Sequence, residues 1–409
     1  MYCILRKFWN AAIKESKKSC IIGIFCILFL SGISIAAEQS PVRIGGIVIR
    51  TGYYAQMGSQ AADAIEWTIK QWNKKGGIKG HPIEYTWGDD ETKPERALMI
   101  AKRLVTKDRV LAIIGPTAST PSTAAVSPYL NKEQVPFLFS AGGKTFKFPE
   151  EKWMFGHLPN TPIVIDFKFK WLKDRGMTRV AALNDTSAFG QIYAGYIPEG
   201  ARKIGVDVVA MESFHTEDVD LTAVLARIKA RNPQGLIAAP GGTPNVRITK
   251  QMKQIGLNIP VIHTAACVSK VFLEDLGQDV IRGETNIYAD GNIFSVLSTL
   301  SDDDPRKKKI LGFKKTWEDD TKVPFDYWHA VGCDAAEAIL RAVKAVIPEK
   351  IDYDNPDQLR GIRADVRQWL ENAELDLLTG HFKRSPTDHI GLKETLLVQI
   401  VDGKWVLAK

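Results

Sequence analysis

The sequence predicts an α/β protein made of two parallel-sheet units, and three observations carry that prediction. Apolar runs of strand length alternate with amphipathic helical segments, first over residues 42–143 and again from Ile163 onward. The links between them are short, which forces parallel pairing with helices on both faces of each sheet. At 409 residues the chain is also too long for a single compact core, so two domains are expected.

VRIGGIVI (residues 42–49) reads as the first strand. Ala61, Ala64, Ile65, Thr68, Ile69 and Trp72 then recur at helical spacing, and NKKGGIKG (73–80) stops that helix, with Gly76 and Gly77 suited to positive φ. HPIEYTWGDD is the second strand, residues 93–108 the second helix, VLAIIG (110–115) the third strand and VPFLFSAGG (135–143) the fourth. In the second series, residues 163–175 form a helix, RVAALND a strand, FGQIYAGYIPEGARKIG a helix and VDVVAMESF a strand. LTAVLARIKARNPQ, GLIAAPGG, NVRITKQMKQIG and PVIHTA continue as helix, strand, helix, strand. The remainder holds a long helix, residues 326–346, and two late strands, LLVQIVD and KWVLAK.

Residues 110–125, VLAIIGPTASTPSTAA, are the most informative stretch. An apolar strand ends at Gly115-Pro116 and hands over to Thr117, Ser119, Thr120, Ser122 and Thr123 ahead of small helix formers. A helix N-terminus placed this way leaves N–H groups unpaired and carries partial positive charge, so it can hold a carboxylate without a cationic side chain. The hydroxyls either add donors to such a site or simply cap their own helix.

Residues 1–37 carry a basic segment (Arg6, Lys7, Lys14, Lys17, Lys18), the apolar run IIGIFCILFL and then SGISIAA, the pattern of a cleaved secretory signal. Five basic residues against Glu15 place +4 of the formal +7 charge there, leaving +3 for the rest. No basic stripe interleaved with aromatics remains, which argues against a nucleic-acid partner. Three of the five cysteines precede residue 38; Cys267 and Cys333 are too few for a disulfide framework. The seven histidines are scattered, and HExxH, GxSxG, CxxC and a Gly-rich phosphate loop are all missing, so no enzyme, metal or cofactor is expected. SDDDPRKKK (301–309) reads as a solvated loop with helix-start chemistry.

The marks NKKGGIKG, GDDETKPERAL, LAIIGPTASTPSTAAVSPYL, VPFLFSAGG, LNDTSAFGQ and GCDAAEAIL follow one another in an order that resembles the solute-binding proteins of ABC importers for branched-chain amino acids. These are the leucine/isoleucine/valine-binding proteins, with the type I periplasmic binding fold. The resemblance implies two Rossmann-like lobes joined by three crossovers, near residues 156–161, 283–290 and 379–386. Residues 42–157 plus 287–382 would form one lobe, and 158–286 plus 383–409 the other. A monomer is implied, located in the periplasm, that closes on a small molecule and delivers it to a membrane permease and ATPase. A ligand sensor for amides, urea or amino acids, signalling to a membrane partner, is the alternative.

Carried over residue by residue, the resemblance places a ligand carboxylate at Ser119 with Ala118 and Thr120 beside it. Ala141, at the turn that includes Gly142, matches the carbonyl that would receive an ammonium, but Gly143 stands where a hydroxyl is needed. Phe189 occupies the position of a Tyr, and near Ala265 and Ala266, where an acid should complete the ammonium site, the sequence has none. A buried ammonium without acceptors would cost several kcal/mol. The sequence therefore favours a small carboxylate, branched or aromatic, without an essential α-ammonium. Tyr53, Tyr54, Gln56 and Met57 after the first strand, the APGG turn with Gly241 and Thr243, and Trp328 are further candidates for the cleft wall, each with ordinary packing as its alternative.

Overall fold

The structure is a computed structural model that describes residues 39–142, 150–240, 244–392 and 395–408, and Lys270 in its backbone alone. The expected signal segment, 1–37, lies outside the described residues. Five strands, β1 (Val42–Val48), β2 (Ile83–Asp89), β3 (Ala112–Thr117), β4 (Phe137–Ser140) and β5 (Met154–Gly156), form one sheet in the order β2-β1-β3-β4-β5, with parallel pairings. Helices α1 (Ala55–Lys74), α2 (Pro94–Thr106) and α3 (Thr120–Lys132) connect the first four strands. Strands β3 and β4 are buried along their whole length, as continuous apolar runs must be when helices cover both faces. In α1 the stripe Ala61, Ala64, Ile65, Thr68 and Ile69 is the buried face, and α2 opens with Pro94 and Glu95, the residues a helix N-terminus favours.

The second series runs α4 (Thr161–Asp174), β6 (Arg179–Asp185), α5 (Ala188–Ile204), β7 (Asp207–Phe214), α6 (Thr222–Ala230), β8 (Gly235–Ala239), α7 (Asn245–Gln254) and β9 (Val261–His263). Two short helices, α8 (Lys270–Leu276) and α9 (Gln278–Ile281), lead to β10 (Glu284–Gly291). Further on come α10 (Pro305–Thr321), α11 (Tyr327–Val346), α12 (Pro356–Glu371), the small hairpin of β11 (Glu374–Asp376) and β12 (His381–Lys383), and a final hairpin of β13 (Leu396–Val401) and β14 (Lys404–Leu407). The second sheet has the order β14-β13-β10-β9-β8-β6-β7, and its last hairpin is joined antiparallel to β10.

Two expected crossovers are displaced. The segment 283–290 is not a passage between sheets, because β10 pairs with both β9 and β13 inside the second sheet. The return comes later, along α10, which buries Ile310 in the second sheet's core and Trp317 in a cluster with Ala64, Phe325 and Ala330. The segment 379–386 still packs on the first core, through Phe382, as do Ile390 and Leu392. The chain therefore leaves that core only after Leu392. In both places a strand with a short apolar run follows turn residues, which disguised it as a connection. Cys267 and Cys333 are both buried and free.

Helices α1 and α11 pack against the same face of the first sheet and run parallel. Gln60 Nε2 donates to Asp326 Oδ2 at 2.8 Å at one end, and Trp72 Nε1 to Glu337 Oε2 at 2.8 Å at the other. Between them Gly332 meets the Ala61 backbone, and a Cβ built there would stand 2.2 Å from the Ala61 carbonyl oxygen. Gly332→Ala is a useful test because helix propensity alone would make it stabilising by about 0.5–1 kcal/mol. We expect instead a loss of about 1–3 kcal/mol from forcing the helices apart, measured by denaturant unfolding; a gain would show that the seam is loose.

Candidate functional site

The carboxyl ends of parallel strands are where open α/β sheets bind ligands, and both sheets bring their candidate residues to that edge. On the first sheet, β1 leads to Met57 in the first turn of α1, β3 to Ala118–Thr120, and β4 to Ala141 and Gly142. Trp328 joins them from the first turn of α11, whose N-terminus lies beside that of α1. On the second sheet, β6 leads to Phe189 and β9 to the short turn Ala265–Cys267. Gly143 and Gly241, with Thr243, lie outside the described residues.

The two edges face each other. Helix α3 of the first sheet touches α5 of the second. Thr161 Oγ1, at the start of α4, donates to the Gly142 carbonyl at 2.9 Å. Tyr53 lies in the field of Asp185 at the end of β6, Glu217 after β7 and Arg247 in α7; burial, then the two acids, raise its phenol above the usual range. Burial also pushes Tyr54 up to about 12.

The β3–α3 junction folds as its sequence suggests, but its hydroxyls look inward. Ser119 is fully buried and is the N-cap of α3: its Oγ accepts from Ser122 N at 3.2 Å and donates to Ser122 Oγ at 2.9 Å. Of the two roles open to it from sequence, the structure shows the cap. Ala118 takes a left-handed φ of 54° and gives its N–H to the Ser140 carbonyl. Thr117 Oγ1 accepts from Ile49 N at 3.2 Å, tying the ends of β1 and β3 together. Pro121 brings no N–H, so the remaining polarity of this end rests on the helix dipole and on Thr120, which is 7% exposed.

Below this junction lies a buried acid. Asp90 is 0% exposed; its Oδ1 accepts from Thr92 N at 2.8 Å, while Oδ2 makes no hydrogen bond among the described residues. Burial is the largest influence and pushes the carboxyl up to about 6, with Asp89 adding to the rise and Ser122, Thr92 N–H and Arg96 opposing it.

On the opposite wall, LNDTSAFG has a structural logic of its own. Ser187 caps α5, accepting from Gly190 N at 3.1 Å, and donates to Asp185 Oδ1 at 2.5 Å. A Cβ at Gly190 would stand 2.2 Å from that same Oδ1, so only glycine lets the helix start so near the acid. Phe189 is half-buried, with its ring 5.8 Å from that of Tyr193. Ala265 and Ala266 are exposed.

An acid does occupy this neighbourhood, contributed by the adjacent strand. Asp290, near the end of β10, forms a buried ion pair with Lys168 of α4, Nζ to Oδ2 at 3.0 Å. Lys168 Nζ also donates to the His263 carbonyl at 3.0 Å and lies 5.0 Å from the Tyr193 ring centre. Burial drives Lys168 down and Asp290 up, and their mutual attraction opposes both shifts. Cys267, which closes the Ala265–Cys267 turn, feels both charges; burial, its largest influence, raises the thiol. His263 is an inner support, its ring nitrogens 2.8 Å from Thr249 Oγ1 and Asn245 Oδ1, and burial takes it down to about 3. Sequence reasoning missed this pair, although a signal was present: Lys168 sits among Ile165, Phe169 and Leu172 on the buried face of α4.

Among the described residues, no group of three or more His, Cys, Asp or Glu could hold a metal ion, and no helix is long and apolar enough to cross a membrane. A surface concavity of about 570 Å³, lined by Val346, Gln368, Trp369 and Asn372, lies at the far end of α11 from these edges.

A family model described as "Periplasmic binding protein" matches residues 41–404. The leucine-, isoleucine-, valine-, threonine- and alanine-binding protein of Pseudomonas aeruginosa is 23% identical over 283 residues, covering 68% of this chain and 71% of that protein. The leucine-specific-binding protein of Salmonella typhimurium is 22% identical over 380 residues, covering 87% and 97%. Among solved structures, an extracellular ligand-binding receptor from Rhodopseudomonas palustris has a TM-score of 0.76 at 21% identity, covering 90% of this chain and all of that one. A branched-chain amino acid transporter substrate-binding protein from Streptococcus pneumoniae, in complex with isoleucine, has a TM-score of 0.70 at 19% identity, covering 90% and 100%. These relatives are binding proteins, and the structures share the fold.

The raised Asp90 makes a pH prediction. Its folded state favours the protonated acid, so this group's contribution to stability is full below its ordinary 3.8 and is lost as pH rises through about 6. The stability advantage of Asp90→Asn over the parent should therefore grow between those limits, by at most about 1.4 kcal/mol per pH unit, and level off above them. Parallel pH profiles in urea unfolding would show that Asp90 ionises freely.

Proposed function

The chain belongs to the periplasmic binding protein family, and from that membership we propose that it is the extracytoplasmic solute receptor of an ABC importer, closing on a small carboxylate. The observation that carries this reading is that the carboxyl edges of both sheets lead into helix N-termini, α1 and α3 on the first, with α11 beside α1, and α5 on the second, and that α3 touches α5. On this reading the two sheets are the cores of two lobes. The hinge runs through residues 156–161, helix α10 and the stretch after Leu392.

The acids at the second edge favour a ligand without an essential ammonium. Asp185 is engaged by Ser187, and Asp290 is neutralised by Lys168. At Asp290 a ligand cation would stand against the Lys168 ammonium already paired there. A carboxylate, in contrast, meets the positive end of α3 without a cation having to be buried beside it. An amino acid ligand is the second reading, favoured by the names of the relatives from Pseudomonas and Salmonella.

Thermal-shift measurements on the protein without its leader separate the two. At about 100 times Kd a ligand adds about 2.7 kcal/mol of stability, a readily measured shift. We expect shifts from 4-methylpentanoate or phenylacetate that leucine does not exceed. Shifts from leucine, isoleucine and valine with none from the acids would sink the carboxylate reading. Ser119→Ala should lower stability by about 1 kcal/mol through loss of the cap and weaken the same acids.

A further inference from the structure

Among the described residues, three polar atoms around the Lys168–Asp290 pair have no hydrogen-bond partner. Lys168 directs its ammonium to Asp290 Oδ2, the His263 carbonyl and the Tyr193 ring, so its hydrogens are all engaged. The three atoms are Asp290 Oδ1, Tyr193 Oη and Thr264 Oγ1, all buried and without a hydrogen bond among the described residues. Their residues are 7%, 2% and 4% exposed. A buried polar atom left without a partner is costly, so three gathered in one place call for an occupant.

They are gathered at the ligand edge. Ala289 pairs with His263, which puts Asp290 and Thr264 one step further along neighbouring strands, at their carboxyl ends. Tyr193 reaches the same place from α5, near Phe189, and lies in the field of Asp290. The cluster thus sits beneath Phe189 and beside the exposed turn of Ala265 and Ala266.

The atoms also define what they can receive. Asp290 Oδ1 only accepts; the two hydroxyls donate or accept. An ammonium placed here would stand against the ammonium of Lys168, and a carboxylate against Asp290. A hydroxyl group gives one hydrogen to Oδ1, accepts from Tyr193 or Thr264, and adds no charge to a pair already balanced. We propose that Asp290, Tyr193 and Thr264 form a subsite for a ligand hydroxyl, so that the solute class is hydroxylated carboxylic acids. This rests on the carboxylate reading above.

Calorimetry with matched probes tests it: benzoate against 3- and 4-hydroxybenzoate, and 4-methylpentanoate against its 2-hydroxy derivative. At least one hydroxylated acid should bind about tenfold or more tighter than its parent, since a site built around a hydroxyl discriminates strongly against its absence. In Tyr193→Phe/Thr264→Val the preference should fall to about twofold or less. Because neither hydroxyl has a partner among the described residues, this variant should melt no lower than the parent without ligand. Acids that bind equally with and without the hydroxyl would overturn the subsite and leave the carboxylate reading standing. Binding of amino acids alone would overturn both. A preference that survives the double variant, or a lower melting temperature without ligand, would assign the hydroxyls to a buried water and overturn the proposal.

Discussion

The contact of Gly332 with the Ala61 backbone is the constraint on which the rest of the fold hangs. The chain departs from the first sheet at Gly156, builds five of the seven strands of the second, and returns only through α10. Nothing local in sequence holds α11 to the strands it covers. What does so is a seam of small residues, Ala61, Ala64, Gly332, Cys333 and Ala336, that lets two helices approach more closely than larger side chains would permit. Because α1 and α11 are parallel, the seam also sets where their N-termini fall, and with them Met57 and Trp328.

The two sheets treat polarity differently. At the edge of the first, hydroxyls and N–H groups satisfy one another: Ser119 with Ser122, Thr117 with Ile49, Ala118 with Ser140. At the edge of the second, a charge pair is buried whole, and the atoms around it are left without partners. Such a pair adds little net stability, because desolvation offsets its attraction. Its value lies in position, since it brings polarity to the wall without net charge.

Much of this architecture is readable in the sequence. Continuous apolar runs located β1, β3, β4, β6 and β8, and the glycines of NKKGGIKG marked the end of α1. Strand β10 was hidden because ETNIYADG opens on three polar residues, holds only the short apolar run Ile287–Ala289 and follows a turn, which suits an exposed connection as well as a half-buried strand. Helix α12 carried readable signals, Asn355 as cap and Pro356 at its first position. The position of Ser119 was legible but its hydroxyl's direction was not, because capping and ligand binding ask for the same residue type at the same place. Asp290 could not be found from the Ala265 region, because the two meet only through the pairing of β9 with β10. Lys168 and Tyr193 join them from helices far away in the chain.

Helix α10 has a mechanical consequence. It buries Ile310 in one core and Trp317, two turns later, in a cluster on the other side, while Lys309 donates to the carbonyls of Asp376 and Leu377. A hydrogen-bonded helix neither stretches nor shortens readily, so this rod fixes the separation of the two bodies along its own axis. Ile310 and Trp317 therefore keep a constant spacing, and the two clusters they enter are tied to each other at that distance.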